Sequence, residues 1–88
     1  MRSKLKTYLY GHKLFTIGTF CRSIMIVSYG TIEIGLSDGG SQYERLDYLG
    51  QGSAIGLKGV FTGQQWDYSA WVKSKKAIVV EIDVEVID

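Results

Sequence analysis

The sequence predicts a small all-β domain of the roll, barrel or sandwich kind. Three observations predict it. Short apolar segments are punctuated by glycine-bearing turns along the chain, β-branched residues recur at every second position, and proline is absent from all 88 residues.

The elements follow in order. Leu14, Phe15 and Ile17 form the first short apolar segment. Ile24 to Val27 is a continuous apolar run, suited to a strand buried on both faces. Ile32, Ile34 and Leu36 then alternate with Thr31, Glu33 and Gly35, the period of a half-buried strand. Leu36-Ser-Asp-Gly-Gly-Ser41 supplies Asp-Gly turn chemistry, because glycine accepts positive φ without a Cβ clash. Tyr43 to Leu49 is the return strand. Leu57 to Thr62, following Gly56, is the best short helical candidate, and no window sustains a helical period beyond one or two turns. Tyr68, Ala70 and Val72 alternate with Ser69 and Trp71. At the end Ile78, Val80, Ile82, Val84 and Val86 occupy every second position, the strongest strand signal in the chain. Gly39, Gly50, Gly52, Gly59 and Gly63 fall between these segments as turn punctuation. Seven or eight short strands at even spacing result, with no repeat, low-complexity stretch or linker, so residues 1–88 read as one domain.

Composition bounds the function. A chain this short buries only roughly 60–65% of its unfolded surface, so it reads as a module that leans on neighbouring chain or a partner. A net charge of +1 gives no electrostatic argument for nucleic acid or for an anionic membrane. The basic groups Lys73, Lys75 and Lys76, and Arg2, Lys4 and Lys6, read as solubilising charge on an exposed edge or tail. A single cysteine, Cys21, excludes an intramolecular disulfide and a cysteine-cluster metal site and suits a reducing compartment. No apolar run approaches the roughly 18 residues that span a bilayer, and the basic N-terminus lacks the apolar core of a signal peptide.

Catalytic chemistry finds little to work with. His12, beside Gly11 and Lys13, has no carboxylate or nucleophile partner and reads as a surface histidine. Arg22 next to Cys21 could make a reactive thiol, but a small residue closing a turn is the expected role. The carboxylates Asp38, Glu44, Asp47, Asp67, Glu81, Asp83, Glu85 and Asp88 form no metal-ligand spacing, and one histidine cannot build a cupin-type metal centre. Gly50-Gln-Gly52-Ser-Ala-Ile-Gly56 lacks the lysine and the strand-to-long-helix setting of a triphosphate loop. The expectation is no enzyme, no metal and no cofactor.

Spacing then carries a family resemblance. Gly18 and Gly30 bracket the Ile24–Val27 strand, with Met25 seven positions after the first glycine and Gly30 twelve after it. Leu49-Gly-Gln-Gly52-Ser-Ala-Ile55-Gly56 follows, then Tyr68-Ser69-Ala70-Trp71-Val72, then Ala77 to Asp83. These four pieces, in this order over about residues 15–83, resemble the cyclic nucleotide-binding domain, with a flavour closest to the cation-channel type. The resemblance implies an eight-stranded antiparallel β-roll, double-stranded and jelly-roll-like, with at most one or two short helices here. The family's flanking helices are expected to be truncated or absent, including the one that covers the base.

The resemblance also implies a ligand pocket, remodelled or vestigial, at Gly52, Ile55, Gly56, Leu57, Lys58, Trp66, Tyr68, Ser69 and Ala70. In the family a glutamate after the cassette glycine holds the sugar hydroxyl, and an arginine before a Ser-Ala or Thr-Ala pair holds the phosphate. Leu57 and Tyr68 occupy those positions. Losing one partner of a buried charged contact costs roughly 2–5 kcal/mol, which at about 1.4 kcal/mol per tenfold weakens binding by one to three orders of magnitude. The expectation is lost or much weakened nucleotide binding, with Trp66, Tyr68 and Leu57 filling the pocket and residues 52–70 forming a contact surface. Trp71 is expected in or beside the core and Trp66 as a cap on a loop. The alternative is a genuine cAMP or cGMP sensor, in which Lys58 or Lys73 supplies a point charge, Asp67 an acceptor, and Trp66 or Trp71 a stacking face. A third reading is a structural subunit of a larger assembly. The implied partner is a protein or a parent channel polypeptide, with oligomers allowed, no nucleic acid, and a membrane reached only through the parent. The implied location is the cytoplasm, at the inner face of a membrane where such a parent exists.

Overall fold

The two-residue rhythm becomes two antiparallel sheets in a computed structural model that describes residues 3–37 and 42–83. In chain order the elements are β1 (Ser3–Leu9), β2 (Lys13–Phe15), β3 (Ser23–Tyr29), β4 (Ile32–Ser37), β5 (Tyr43–Leu49), β6 (Ala54–Ile55), α1 (Leu57–Thr62), β7 (Ser69–Val72) and β8 (Lys76–Asp83). The first sheet has the order β1-β8-β3-β6 and the second β2-β7-β4-β5. Each pairing between neighbours is antiparallel. The result is the all-β roll expected from sequence, with the one expected helix over Leu57–Thr62. The Asp-Gly turn at 38–41 and the alternation at Val84 and Val86 lie outside the described residues.

The core lies between the sheets. Val27, Ile32, Ile55, Ala70, Val72, Ala77 and Val79 are each at most 2% exposed, and fully burying a side chain of this kind contributes about 1.5–3 kcal/mol. Ile24, Met25 and Val27 are buried in β3 while Ile26 is only partly covered, so the run is not equally enclosed on both faces.

Of the two settings expected for the N-terminal lysines, Lys4 and Lys6 take the exposed edge: β1 is an edge strand that pairs along β8 from Ser3↔Ile82 to Leu9↔Lys76. In β8 the residues that reach the core are Ala77 and Val79, while Ile78, Val80 and Ile82 stand on the opposite phase and stay partly exposed. The most conspicuous alternation in the sequence marks the outer face of its sheet. The period fixes a strand, but only cross-strand partners fix which phase faces inward.

Candidate functional site

The site is assembled by two loops that zip together. The Ile17 N–H donates to Ser69 Oγ at 2.8 Å. The Gly18 N–H donates to the Trp66 carbonyl at 3.0 Å, the Trp66 N–H to the Thr19 carbonyl at 2.8 Å, and the Cys21 N–H to the Gln64 carbonyl at 3.1 Å. This clamp holds Trp66 flat against Phe15, with ring centroids 3.6 Å apart and planes 11° from parallel. Tyr68 tilts onto both rings, at 5.7 Å from Phe15 and 6.2 Å from Trp66. Trp66 is therefore a core residue, 7% exposed, rather than the cap of a loop. Trp71 lies on the second sheet, edge-on to Tyr43 and beneath the Lys13 ammonium.

Gly56 sits at the start of α1 with φ 94°. A Cβ there would come within 2.8 Å of both the Ser23 carbonyl oxygen and the Trp66 ring, so only glycine lets α1 pack this closely. The six-residue helix has no acidic residue in its first turn and no side-chain cap. Between α1 and the Trp66 loop lies a cavity of about 200 Å³, lined among others by Cys21, Gly56, Lys58, Trp66, Asp67 and Tyr68.

Four of the nine pocket residues expected from sequence thus meet at one cavity: Gly56, Lys58, Trp66 and Tyr68. The others stand elsewhere. Gly52 is exposed in the turn before β6, its N–H donating to the Val27 carbonyl at 2.8 Å. Ile55, Ser69 and Ala70 are buried among the core and its edge. Leu57 is 48% exposed and does not line the cavity, so it is not a residue that fills it. Lys73 and Trp71, considered as substitutes, lie with the second sheet, whereas Lys58, Asp67 and Trp66 do share the cavity. Burial pushes the Cys21 thiol and the Tyr68 phenol above their ordinary pKa values. The Cys21 Sγ lies 3.5 Å from the Gly56 carbonyl oxygen, so the thiol is a buried packing group rather than a reactive thiolate.

Sequence reasoning passed over Glu33. The residue is 7% exposed, and its carboxylate accepts a 2.5 Å hydrogen bond from Tyr43 Oη and lies 3.7 Å from Lys73 Nζ. Arg45 in turn donates to Tyr48 Oη at 3.0 Å. The Tyr43 hydrogen bond chiefly holds the Glu33 carboxyl below its usual range against the effect of burial, helped by Tyr48, Lys73 and Arg45. Burial and Glu33 push the Tyr43 phenol up to about 12. Gly35 makes room, since a Cβ there would lie 2.5–2.7 Å from the Tyr43 ring. The legible signal was parity: Glu33 falls on the polar phase of β4, opposite Tyr48 and Trp71.

Among the described residues no group of three His, Cys, Asp or Glu could hold a metal ion, and no helix is long and apolar enough to cross a membrane. His12 is exposed and stacks on Tyr8 at 4.4 Å.

Two four-stranded antiparallel sheets with a short helix leading into the last strands define an antiparallel β-roll. The family model described as the cyclic nucleotide-binding domain matches residues 5–88, somewhat more than the 15–83 stretch carrying the sequence motifs. The chain belongs to the cyclic nucleotide-binding domain family. Among solved structures it is similar to the catabolite activator protein of Thermus thermophilus, with a TM-score of 0.82 and 19% identity, covering 94% of this chain and 38% of that one. It is also similar to the regulatory domain of Toxoplasma gondii PKA solved with cAMP, with a TM-score of 0.82 and 13% identity, covering 94% and 32%. A third is the regulatory subunit of a cAMP-independent protein kinase A from Trypanosoma brucei, with a TM-score of 0.82 and 11% identity, covering 93% and 30%. A triple mutant of that subunit, one of whose substitutions introduces an arginine, is described as bound to cAMP in the A site. The chain therefore spans about a third of the length of these structures. A search of curated proteins finds no match.

Proposed function

We propose that this chain is a non-catalytic regulatory or interaction module that keeps the cyclic nucleotide-binding roll while its own cassette no longer holds a cyclic nucleotide. The observation that carries this reading is the Trp66–Phe15 stack with Tyr68 tilted against it. An aromatic cluster occupies the wall from which an arginine would reach a phosphate. The remaining cavity of about 200 Å³ is smaller than the roughly 300–1,000 Å³ of ordinary small-molecule sites. The first turn of α1 offers no carboxylate to a sugar hydroxyl. The Trypanosoma brucei neighbour, called cAMP-independent and found with cAMP once mutated, is a precedent for a roll that persists without its ligand.

Isothermal titration with cAMP and with cGMP tests this. No heat up to millimolar ligand is the expected result, and micromolar affinity for either overturns the reading. The double variant Leu57→Glu with Tyr68→Arg restores the two charged contacts and is expected to gain affinity for at least one of them.

A second reading, a sensor with a remodelled pocket, is favoured by one observation: Lys58 and Asp67 line the same cavity as Trp66. In that case Lys58→Ala abolishes whatever heat the titration shows. The wider setting we propose is a cytoplasmic module, attached to a cation-channel-type polypeptide or serving as a subunit of an assembly. Six apolar spans encoded upstream would support the channel setting. A free 9.8 kDa species in a native extract would exclude both the assembly and the channel.

A further inference from the structure

The first sheet has an aliphatic outer face that no described residue covers. Leu5 and Leu9, on β1, are each 70% exposed. Cross-strand register extends them into rows: Leu5 lies opposite Val80, which lies opposite Ile26, while Ile78 lies between Thr7 and Tyr29. Ile26, Ile78, Val80 and Ile82 are all partly exposed. A strand apolar on both faces is the pattern of a sheet packed on both sides, and β8 has Val79 in the core with Val80 outside it.

The dimensions select the occupant. The apolar stripe covers three strands, β1, β8 and β3. At about 4.8 Å between strands it is roughly 10 Å wide, the width of one α-helix with its side chains. From Ile82 to Lys76 it runs six residues, or about 20 Å at 3.3 Å each, which matches about 13 helical residues at 1.5 Å each. The charge at its rim selects the occupant's chemistry. At one end a hollow is lined by Leu9, Tyr29, Ser74, Lys75 and Lys76. Among the described residues neither of these two lysines makes an ion pair, whereas Lys6, on the other phase of β1, pairs with Glu81 at 3.3 Å. A second copy docking through this face would bring like charges together.

We propose that the outer face of the β1-β8-β3 sheet is the docking surface for an acidic amphipathic helix of a partner protein, of about three to four turns. Its leucine-type stripe covers Leu5, Val80 and Ile78, and its flanking carboxylates meet Lys75 and Lys76. The inference goes beyond the proposed function and holds whether or not the cavity takes a nucleotide.

The test uses the full chain and two synthetic 14-residue helical peptides with the same leucine stripe, one flanked by glutamates and the other by lysines. Binding is followed by the methyl resonances of Ile, Leu and Val. The glutamate peptide is expected to bind at least tenfold tighter than the lysine peptide and to shift Leu5, Ile78 and Val80. Val80→Lys and, separately, the highly exposed Leu5→Lys are each expected to lose at least tenfold in affinity with an unchanged circular dichroism spectrum. The double variant Lys75→Glu, Lys76→Glu is expected to reverse the peptide preference. No binding, shifts confined to α1 or the second sheet, equal affinity for both peptides, or concentration-dependent dimers that Leu5→Lys dissolves would each overturn the proposal. So would binding only to phosphatidylserine vesicles.

Discussion

The outer faces of the two sheets are built on opposite principles. Across the second sheet runs a cross-strand row of Lys13, Trp71, Glu33 and Tyr48, tied together by the Tyr43 hydrogen bond, the Lys73 ion pair and the Lys13–Trp71 contact. Its polar atoms answer one another, and its aromatic rings lie under cations. Across the first sheet the corresponding positions are Leu5, Val80 and Ile26, with nothing polar to pair and nothing described to cover them. The second sheet presents a finished solvent surface, and the first an unfinished one. A small roll with limited buried area ties together the outer face of its second sheet and leaves the aliphatic face of the first exposed among the described residues.

The sharpest way to break this comparison is within β8. Val79→Asp places a carboxylate in the core, where no cation is described to pair with it, and is expected to cost at least ~3 kcal/mol, enough to unfold most molecules of so small a domain. Val80→Asp, one residue on, is expected to cost under about 1 kcal/mol because its side chain already meets solvent. Urea unfolding followed by tryptophan fluorescence measures both. Equal losses would mean that β8 has no outer face in the isolated chain.

Glu33 gives the next effect and sharpens the other half. Because folding lowers its carboxyl pKa, the stability it contributes is present above its ordinary value of 4.5 and is lost as pH falls through the lower folded value. Glu33→Gln is expected to cost about 1–2 kcal/mol at pH 7, where a charge-assisted hydrogen bond is weakened. It should also flatten the acid side of the stability profile below pH 4.5. Tyr43 acts at the other end. Its raised pKa contributes stability fully present below 10.0 and lost as pH climbs toward about 12, so Tyr43→Phe removes that alkaline loss. An unchanged acid limb in Glu33→Gln would show that the second sheet does not depend on this carboxylate.

These contrasts explain what could be read in advance. The strands, the Leu57–Thr62 helix and the family motifs follow from local signals: period two, glycine placement and residue spacing. Inner and outer phases do not, because parity is settled by a partner strand distant in sequence. Val79 shares the core-facing phase of its cross-strand partner Val27, which is buried and distant from it in the chain. Both tryptophans depart from expectation for the same reason. Trp66 is drawn inward by the hydrogen bonds to residues 18 and 19, while Trp71 inherits the outward phase of β7. Glu33 is not legible locally because its partners are distant in the chain, Tyr43 on β5 and Lys73 in the turn between β7 and β8.

The smallest expected effect compares the lysines of the two sheets. Each sheet carries a tyrosine donating to a glutamate that a lysine also approaches: Tyr8, Glu81 and Lys6 in the first, and Tyr43, Glu33 and Lys73 in the second. The two ammonium groups are 3.3 Å and 3.7 Å from their carboxylates, on side chains 46% and 36% exposed. Exposed pairs of this sort contribute about 0.2–1 kcal/mol, and molar salt screens most of it. Lys6→Ala and Lys73→Ala are therefore expected to cost similar small amounts at low salt and almost nothing in 1 M sodium chloride. A loss above about 2 kcal/mol for Lys73→Ala that survives salt would mean that Glu33 relies on a desolvated charge pair. The second sheet's outer face would then be held by that pair, rather than by the tyrosine hydrogen bonds that make it self-sufficient.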